Sequence, residues 1–128
     1  MSAAAATIAV VDDDASIRVA LSSLLRSMGY AARLFPTAEA FLADQTEPPP
    51  DCVLTDVQMP GMNGLELQDA IRRRTPDLPV IMITAFPSPA IRERALAAGA
   101  LQYLNKPVEA ETVARCIQQA LERRRGES

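Results

Sequence analysis

Apolar residues fall along the chain in two alternating rhythms. Short, nearly continuous runs rich in β-branched residues occupy Thr7–Val11, Ala31–Phe35, Cys52–Thr55, Val80–Thr84 and Leu101–Leu104, and they predict five strands. The longer stretches between them carry helical spacing. Ile17, Leu21, Leu24, Leu25 and Met28 form one stripe. Leu65, Leu67, Ala70 and Ile71 form a second, and Val113, Cys116, Ile117, Ala120 and Leu121 a third. Residues at such intervals share one helix face. Strands that are mostly apolar on both sides, each followed by a helix, predict an α/β fold with a parallel sheet covered on both faces. The expected architecture is flavodoxin-like, a doubly wound (βα)5 sheet in the order 2-1-3-4-5.

Turn and cap residues agree with those boundaries. Gly29 and Gly99 stand where the first and fourth helices should stop. Ser88-Pro89 reads as an N-cap followed by proline at the first helical position. Asn63-Gly64-Leu65-Glu66 fits a capping-box start for the third helix, with Asn in place of Ser or Thr. Glu109 and Glu111 favour the start of the fifth helix through its dipole. Pro48-Pro49-Pro50 is a stiff connector inside the same sheet rather than a domain linker.

A length of 128 residues predicts one domain over 1–128. Arg123-Arg124-Arg125, followed by Gly-Glu-Ser, reads as the solvated end of the last helix or as the start of a linker to an output domain. With 13 basic against 16 acidic side chains the net charge is −3, which argues against direct nucleic-acid contact by this chain. There is no apolar run of membrane-spanning length and no basic n-region at the N-terminus, so no membrane association is expected. Cys52 and Cys116 lack motif spacing, and such an isolated pair suggests reduced thiols in the cytoplasm. No histidine is present, which excludes a Ser-His-Asp triad and a His-ligated zinc within the chain.

Candidate chemistry gathers at the strand ends. Asp12, Asp13 and Asp14 follow the first strand and Asp56 ends the third. In the expected strand order the topological switch lies between these two strands, where ligands bind outside their carboxyl ends. Asp12, Asp13 and Asp56 should therefore share a crevice. Crowded carboxylates raise one another's pKa, and a hard divalent cation such as magnesium relieves them. Asp14 is better read as a helix cap than as a ligand. Thr84 and Lys106 end the fourth and fifth strands and should stand at the crevice rim. Lys106 is the lone lysine among 13 basic residues, and a compact ammonium suits a phosphate. Threonine at a strand end is otherwise just a strand former. Together these groups point to phosphoryl chemistry, with Asp56 as the nucleophile that becomes an aspartyl-phosphate. Lacking histidine, the chain must take its phosphoryl group from elsewhere.

These residues resemble the receiver domains of two-component response regulators over essentially the whole chain. Val10-Val11-Asp12-Asp13, Asp56 through Gly64, Ile83-Thr84-Ala85 and Lys106-Pro107 carry the likeness. Ala38-Glu39-Ala40-Phe41-Leu42 and Ala98-Gly99-Ala100 resemble the FixJ-type subgroup, in which a DNA-binding domain usually follows the receiver. The resemblance implies that Asp56 accepts phosphate from a sensor histidine kinase in a phosphorelay that regulates transcription. It implies Mg2+ held by Asp13, Asp56 and the Gln58 carbonyl, with Asp12 acting through water. Thr84, Ala85 and Lys106 would bind the phosphoryl group. Thr84 and Tyr103 would move together as the switch, and the Lys106-Pro107 bond would be cis. Self-association through the fourth helix and fifth strand is a further expectation. By spacing alone, Tyr103 is a half-buried strand aromatic.

The chain departs from the family pattern in places. Phe86 lies two residues beyond Thr84 and Gln58 two beyond Asp56, positions that commonly tune dephosphorylation in receivers; a bulky Phe86 should slow hydrolysis by restricting water. Pro87 and Pro89 stiffen the loop after the fourth strand, and the usual acid near the fifth strand is replaced by Leu101-Gln102-Tyr103. Three readings therefore stand: a phosphorylated switch that is not an enzyme, a receiver that acts without phosphorylation, and an aspartate-dependent phosphatase. The last needs a general acid two residues past its nucleophile, and Gln58 cannot serve.

Overall fold

A computed structural model describes residues 6–126. Strands β1 (Thr7–Val11), β2 (Ala31–Phe35), β3 (Cys52–Asp56), β4 (Val80–Thr84) and β5 (Gln102–Asn105) alternate with helices α1 (Ala15–Ser27), α2 (Ala38–Ala43), α3 (Gly64–Arg74), α4 (Pro89–Ala97) and α5 (Ala110–Gly126). The strands pair in parallel in the order β2-β1-β3-β4-β5, as the pattern predicts. Three boundaries differ by one residue. β3 runs on to Asp56, which pairs with Ile83, and β5 runs over Gln102–Asn105 rather than Leu101–Leu104. Leu101 still donates its N–H to the Val80 carbonyl, but Ile81 is the first β4 residue with a β5 partner.

Period-2 alternation divides the core into two layers. Ile8, Val10, Leu54 and Ile81 meet Leu25 of α1 and Val113 and Ile117 of α5. Ala9, Val11, Val53 and Met82 meet Ala38 of α2, Leu67 and Ile71 of α3 and Ala95 of α4. Each fully buried Leu or Ile contributes about 1.5–3 kcal/mol. Burial on both faces holds throughout β1, β3 and β4 but not in β2, where only Phe35 is buried. β2 is an edge strand with a single neighbour, so its other residues remain partly open to solvent. Cys52 and Cys116 both lie in the α1/α5 layer.

The helix ends follow the sequence signals. Asp14 caps α1 by accepting from the Ser16 and Ile17 N–H groups. Asn63 and Glu66 complete a reciprocal capping box on α3. Ser88 caps α4, with Pro89 in its first turn. α1 and α4 close in Schellman turns, Tyr30 N–H to Leu25 O and Ala100 N–H to Ala95 O, with Gly29 and Gly99 at φ +91° and +111°. Two α3 side chains one turn apart reach the C-terminal end of α4. Gln68 Nε2 donates to Ala95 O at 3.2 Å, and Arg72 donates to Ala98 O. The Lys106-Pro107 bond is cis, as expected, and so is Glu47-Pro48. Arg123 is exposed in the last turns of α5; the side chains of Arg124 and Arg125, and residues 127–128, lie outside the described part. No helix among the described residues is long and apolar enough to cross a membrane.

Candidate functional site

β1, β3, β4 and β5 end at the same edge of the sheet, so four strand tips present their terminal side chains to one crevice. Asp12 leaves β1 with its main chain fixed, since its N–H donates to Phe35 O at the tip of β2. Its carbonyl accepts from the Arg18 guanidinium at 2.7 Å. Its carboxylate is used on both sides: Oδ1 accepts from Asp14 N–H at 2.9 Å and Oδ2 from Lys106 Nζ at 2.9 Å. Asp56 is held by its own loop, with Oδ1 accepting from Val57 N–H at 2.7 Å. Its Oδ2 lies 3.6 Å from Lys106 Nζ. Lys106 is placed by its N–H, which donates to Thr84 O at 2.7 Å and ties the end of β5 to that of β4.

One carboxylate oxygen each from Asp12, Asp13 and Asp56 lies within 4.8 Å of the other two. Asp13 is exposed, whereas Asp12 and Asp56 are buried. An all-oxygen set carrying excess negative charge fits a hard divalent cation. The local field confirms the crowding. Burial, then the charge of Asp12, raises the Asp56 pKa above the ordinary aspartate value; Lys106 and the Val57 N–H offset this only in part. Burial alone would lower the Lys106 pKa, but the hydrogen bond and charge of Asp12, then Asp56, outweigh it and leave it raised.

Thr84 is fully buried at the tip of β4. Its Oγ1 donates to Gln58 Oε1 at 2.8 Å and accepts from Phe86 N–H at 3.0 Å. Ala85, the next residue, is exposed. Tyr103 is buried rather than half-buried, and its hydroxyl accepts from Ser88 N–H at 3.3 Å, reaching the N-cap of α4. Thr84 and Tyr103 thus hold the β4–α4 loop at two points. Phe86 projects from that loop 71% exposed.

Asp12, Asp13, Asp56 and Lys106 converge, while the Thr84 and Tyr103 hydroxyls meet Gln58, Phe86 and Ser88 instead, and four supports were not foreseen. The Gln58 side chain meets Thr84. Arg18 of α1 holds the Asp12 carbonyl, six residues back along the chain. Glu39 of α2 accepts from Met62 N–H at 3.0 Å and braces the β3–α3 loop, which no local pattern announces. Gly64 permits close approach: a Cβ there would lie 2.4 Å from Asp56 O and 3.0 Å from Val57 Cα. Only glycine lets the start of α3 pack this tightly beneath the loop carrying Asp56.

A doubly wound sheet with acids at the tips of β1 and β3, and a lysine at the tip of β5, defines a class of signalling domain. Residues 8–118 match the response regulator receiver domain, and the chain belongs to that family. It is 35% identical over 121 residues to the response regulator protein TodT of Pseudomonas putida, covering 94% of this chain and 53% of that protein. It is 34% identical over 112 residues to the transcriptional regulatory protein FixJ of Bradyrhizobium diazoefficiens, covering 88% of this chain and 55% of that protein. The chain therefore spans about half the length of these curated relatives. A CheY-like receiver domain protein from Methanospirillum hungatei superposes with a TM-score of 0.90 at 29% identity, over 97% of this chain and 99% of that one.

Proposed function

We propose that this receiver is a phosphorylation-dependent switch in which Asp56 is the phosphoacceptor. The supporting observation is the convergence of Asp12, Asp13 and Asp56 with Lys106, whose Nζ lies 2.9 Å from Asp12 and 3.6 Å from Asp56. An Asp56 carboxylate oxygen attacks the phosphorus of a phosphohistidine on a sensor histidine kinase. The P–N bond breaks, the electron pair leaves with the imidazole, and an acyl phosphate forms on Asp56. Asp12, Asp13, Asp56 and the Gln58 carbonyl would hold Mg2+, which neutralises the acidic cluster and the phosphoryl oxygens when bound. Lys106 contributes its fixed positive charge to the same oxygens, and Thr84 and Ala85 complete their surroundings.

The new group adds about −1.5 to −2 charge and strong acceptor oxygens. It draws the Thr84 hydroxyl inward, releases the Phe86 N–H and leaves Tyr103 to follow. A pre-existing equilibrium between two positions of the β4–α4 loop and α4 is thereby biased. The α4–β5 face then changes its fit to a partner, a second copy of the chain among them. Regulation of transcription runs through an output domain attached beyond residue 128 or carried by a partner, in the cytoplasm, without direct nucleic-acid contact by this domain. The chain is not itself an enzyme, since no general acid stands two residues past Asp56.

Incubation with acetyl phosphate and MgCl2, followed by intact-mass measurement, tests this reading. A phosphorylated species is expected that Asp56→Asn and chelation each abolish. Labelling that persists in Asp56→Asn refutes it, and multiple-turnover hydrolysis of a phosphomonoester, which is not a phosphoryl donor to a receiver, shows a phosphatase instead.

A further inference from the structure

We propose that the Gln58 carboxamide is a latch on the Thr84 hydroxyl and sets how readily the β4–α4 loop leaves its resting position. The proposal rests on the reading of Thr84 as a phosphoryl-binding switch residue. A threonine hydroxyl has one proton and so can donate to only one acceptor at a time. In this structure that proton is directed at Gln58 Oε1, 2.8 Å away. A phosphoryl oxygen on Asp56 must therefore compete with Gln58 for it.

The position of Gln58 suits that competition. It lies two residues beyond Asp56 on the β3–α3 loop, exposed, so its backbone belongs to the acceptor site while its side chain crosses to the tip of β4. Thr84 itself is fully buried and has little freedom to find another acceptor. One of its two lone pairs is also engaged, by Phe86 N–H at 3.0 Å. Gln58, Thr84 and Phe86 thus form one chain of hydrogen bonds running from the phosphoacceptor loop to the switch loop. Opening the first link frees the Thr84 proton, and rotation of Thr84 then opens the second. Gln58 is a positioning residue, and its action is expected to vanish when the hydroxyl is removed.

The test is a double-mutant cycle of Gln58→Met and Thr84→Val, alone and combined. One arm titrates beryllofluoride in MgCl2, read by the tyrosine fluorescence of the chain. A second arm measures hydrogen exchange at the Phe86 amide with no phosphoryl mimic present. A neutral hydrogen bond of ordinary strength predicts that Gln58→Met lowers the half-saturating beryllofluoride concentration roughly two- to twelvefold. It also predicts faster Phe86 exchange by a similar factor, and neither change in the Thr84→Val background. Unchanged Phe86 exchange in Gln58→Met overturns the latch, as does an equal effect of Gln58→Met with and without the Thr84 hydroxyl. A wild-type chain that takes up no beryllofluoride refutes the phosphoryl-site reading instead, and the exchange arm still decides the latch.

Discussion

Replacing Gly64 by alanine puts a methyl group where the backbone leaves no room. The added Cβ would lie 2.4 Å from Asp56 O, well inside the 3.0 Å below which real Cβ contacts essentially never fall. The obstructing atom is main chain, so no rotamer change relieves it. Either α3 retreats, weakening the Gly64 N–H to Val57 O bond of 2.9 Å, or the strand end carrying Asp56 moves outward. Overpacking costs about 1–3 kcal/mol, and the weakened bond adds up to roughly 1 kcal/mol. Alanine returns something under about 1 kcal/mol through helix propensity. The net expectation is a loss of about 1–3 kcal/mol, a fall in Tm on the order of 5–10 °C. Urea and thermal melts check this, with Gly29→Ala as the comparison, since a Cβ at Gly29 meets nothing within 4 Å. Gly29→Ala pays only for its positive φ, about 1–2 kcal/mol. Phosphorylation of Gly64→Ala by acetyl phosphate should slow as well, because the shifted segment carries the acceptor. A Gly64→Ala protein as stable as wild type refutes the close approach of α3 to the acceptor loop.

Three further outcomes are expected. The Asp56 pKa is raised by folding, so this carboxylate weakens the metal-free fold progressively as pH rises from the ordinary aspartate range through the raised value. Asp56→Asn should therefore be more stable than wild type in EDTA at neutral pH, with the gap narrowing on acidification; a gap that widens contradicts the sign. Phe86→Ala should leave stability within about 0.5 kcal/mol, since the ring is exposed, yet shorten the phosphoryl half-life by admitting water; an unchanged or longer half-life counts against this. Gln68 is buried with its Oε1 unpartnered, and Ala95 O keeps its bond from Ala100 N–H when the Gln68 amide is removed. Gln68→Met should fall within about 1 kcal/mol of wild type in denaturant melts, and a loss above roughly 2 kcal/mol refutes the reading.

The elements were legible because the apolar runs at β1, β3 and β4 are short, β-branched and buried on both faces, while Asp14, Asn63 and Ser88 mark helix starts by ordinary cap chemistry. The convergence of Asp12, Asp13, Asp56 and Lys106 was legible from strand order alone, since parallel strands deliver their carboxyl ends to one edge. Side-chain contacts across loops were not. Nothing local to Gln58 reveals that its amide crosses to Thr84, and nothing in α2 shows that Glu39 reaches Met62. Such pairings depend on the relative placement of two loops, which no periodicity encodes. The partial exposure of β2 was missed although the expected order sets that strand at an edge: its apolar run does not show which of its residues the helices leave uncovered.

The two α3 side chains that grip the end of α4 have a mechanical corollary. Gln68 and Arg72 moor the helix at Ala95 and Ala98, whereas Ser88 at its other end is joined to the sheet through Tyr103. A nine-residue helix is about 13 Å long. A helix moored astern by two side chains and held at the bow by a single long bond swings rather than slides. A small displacement at Ser88 would therefore sweep the outward side of the rod through an arc, largest beside the phosphoacceptor crevice and smallest near Gly99.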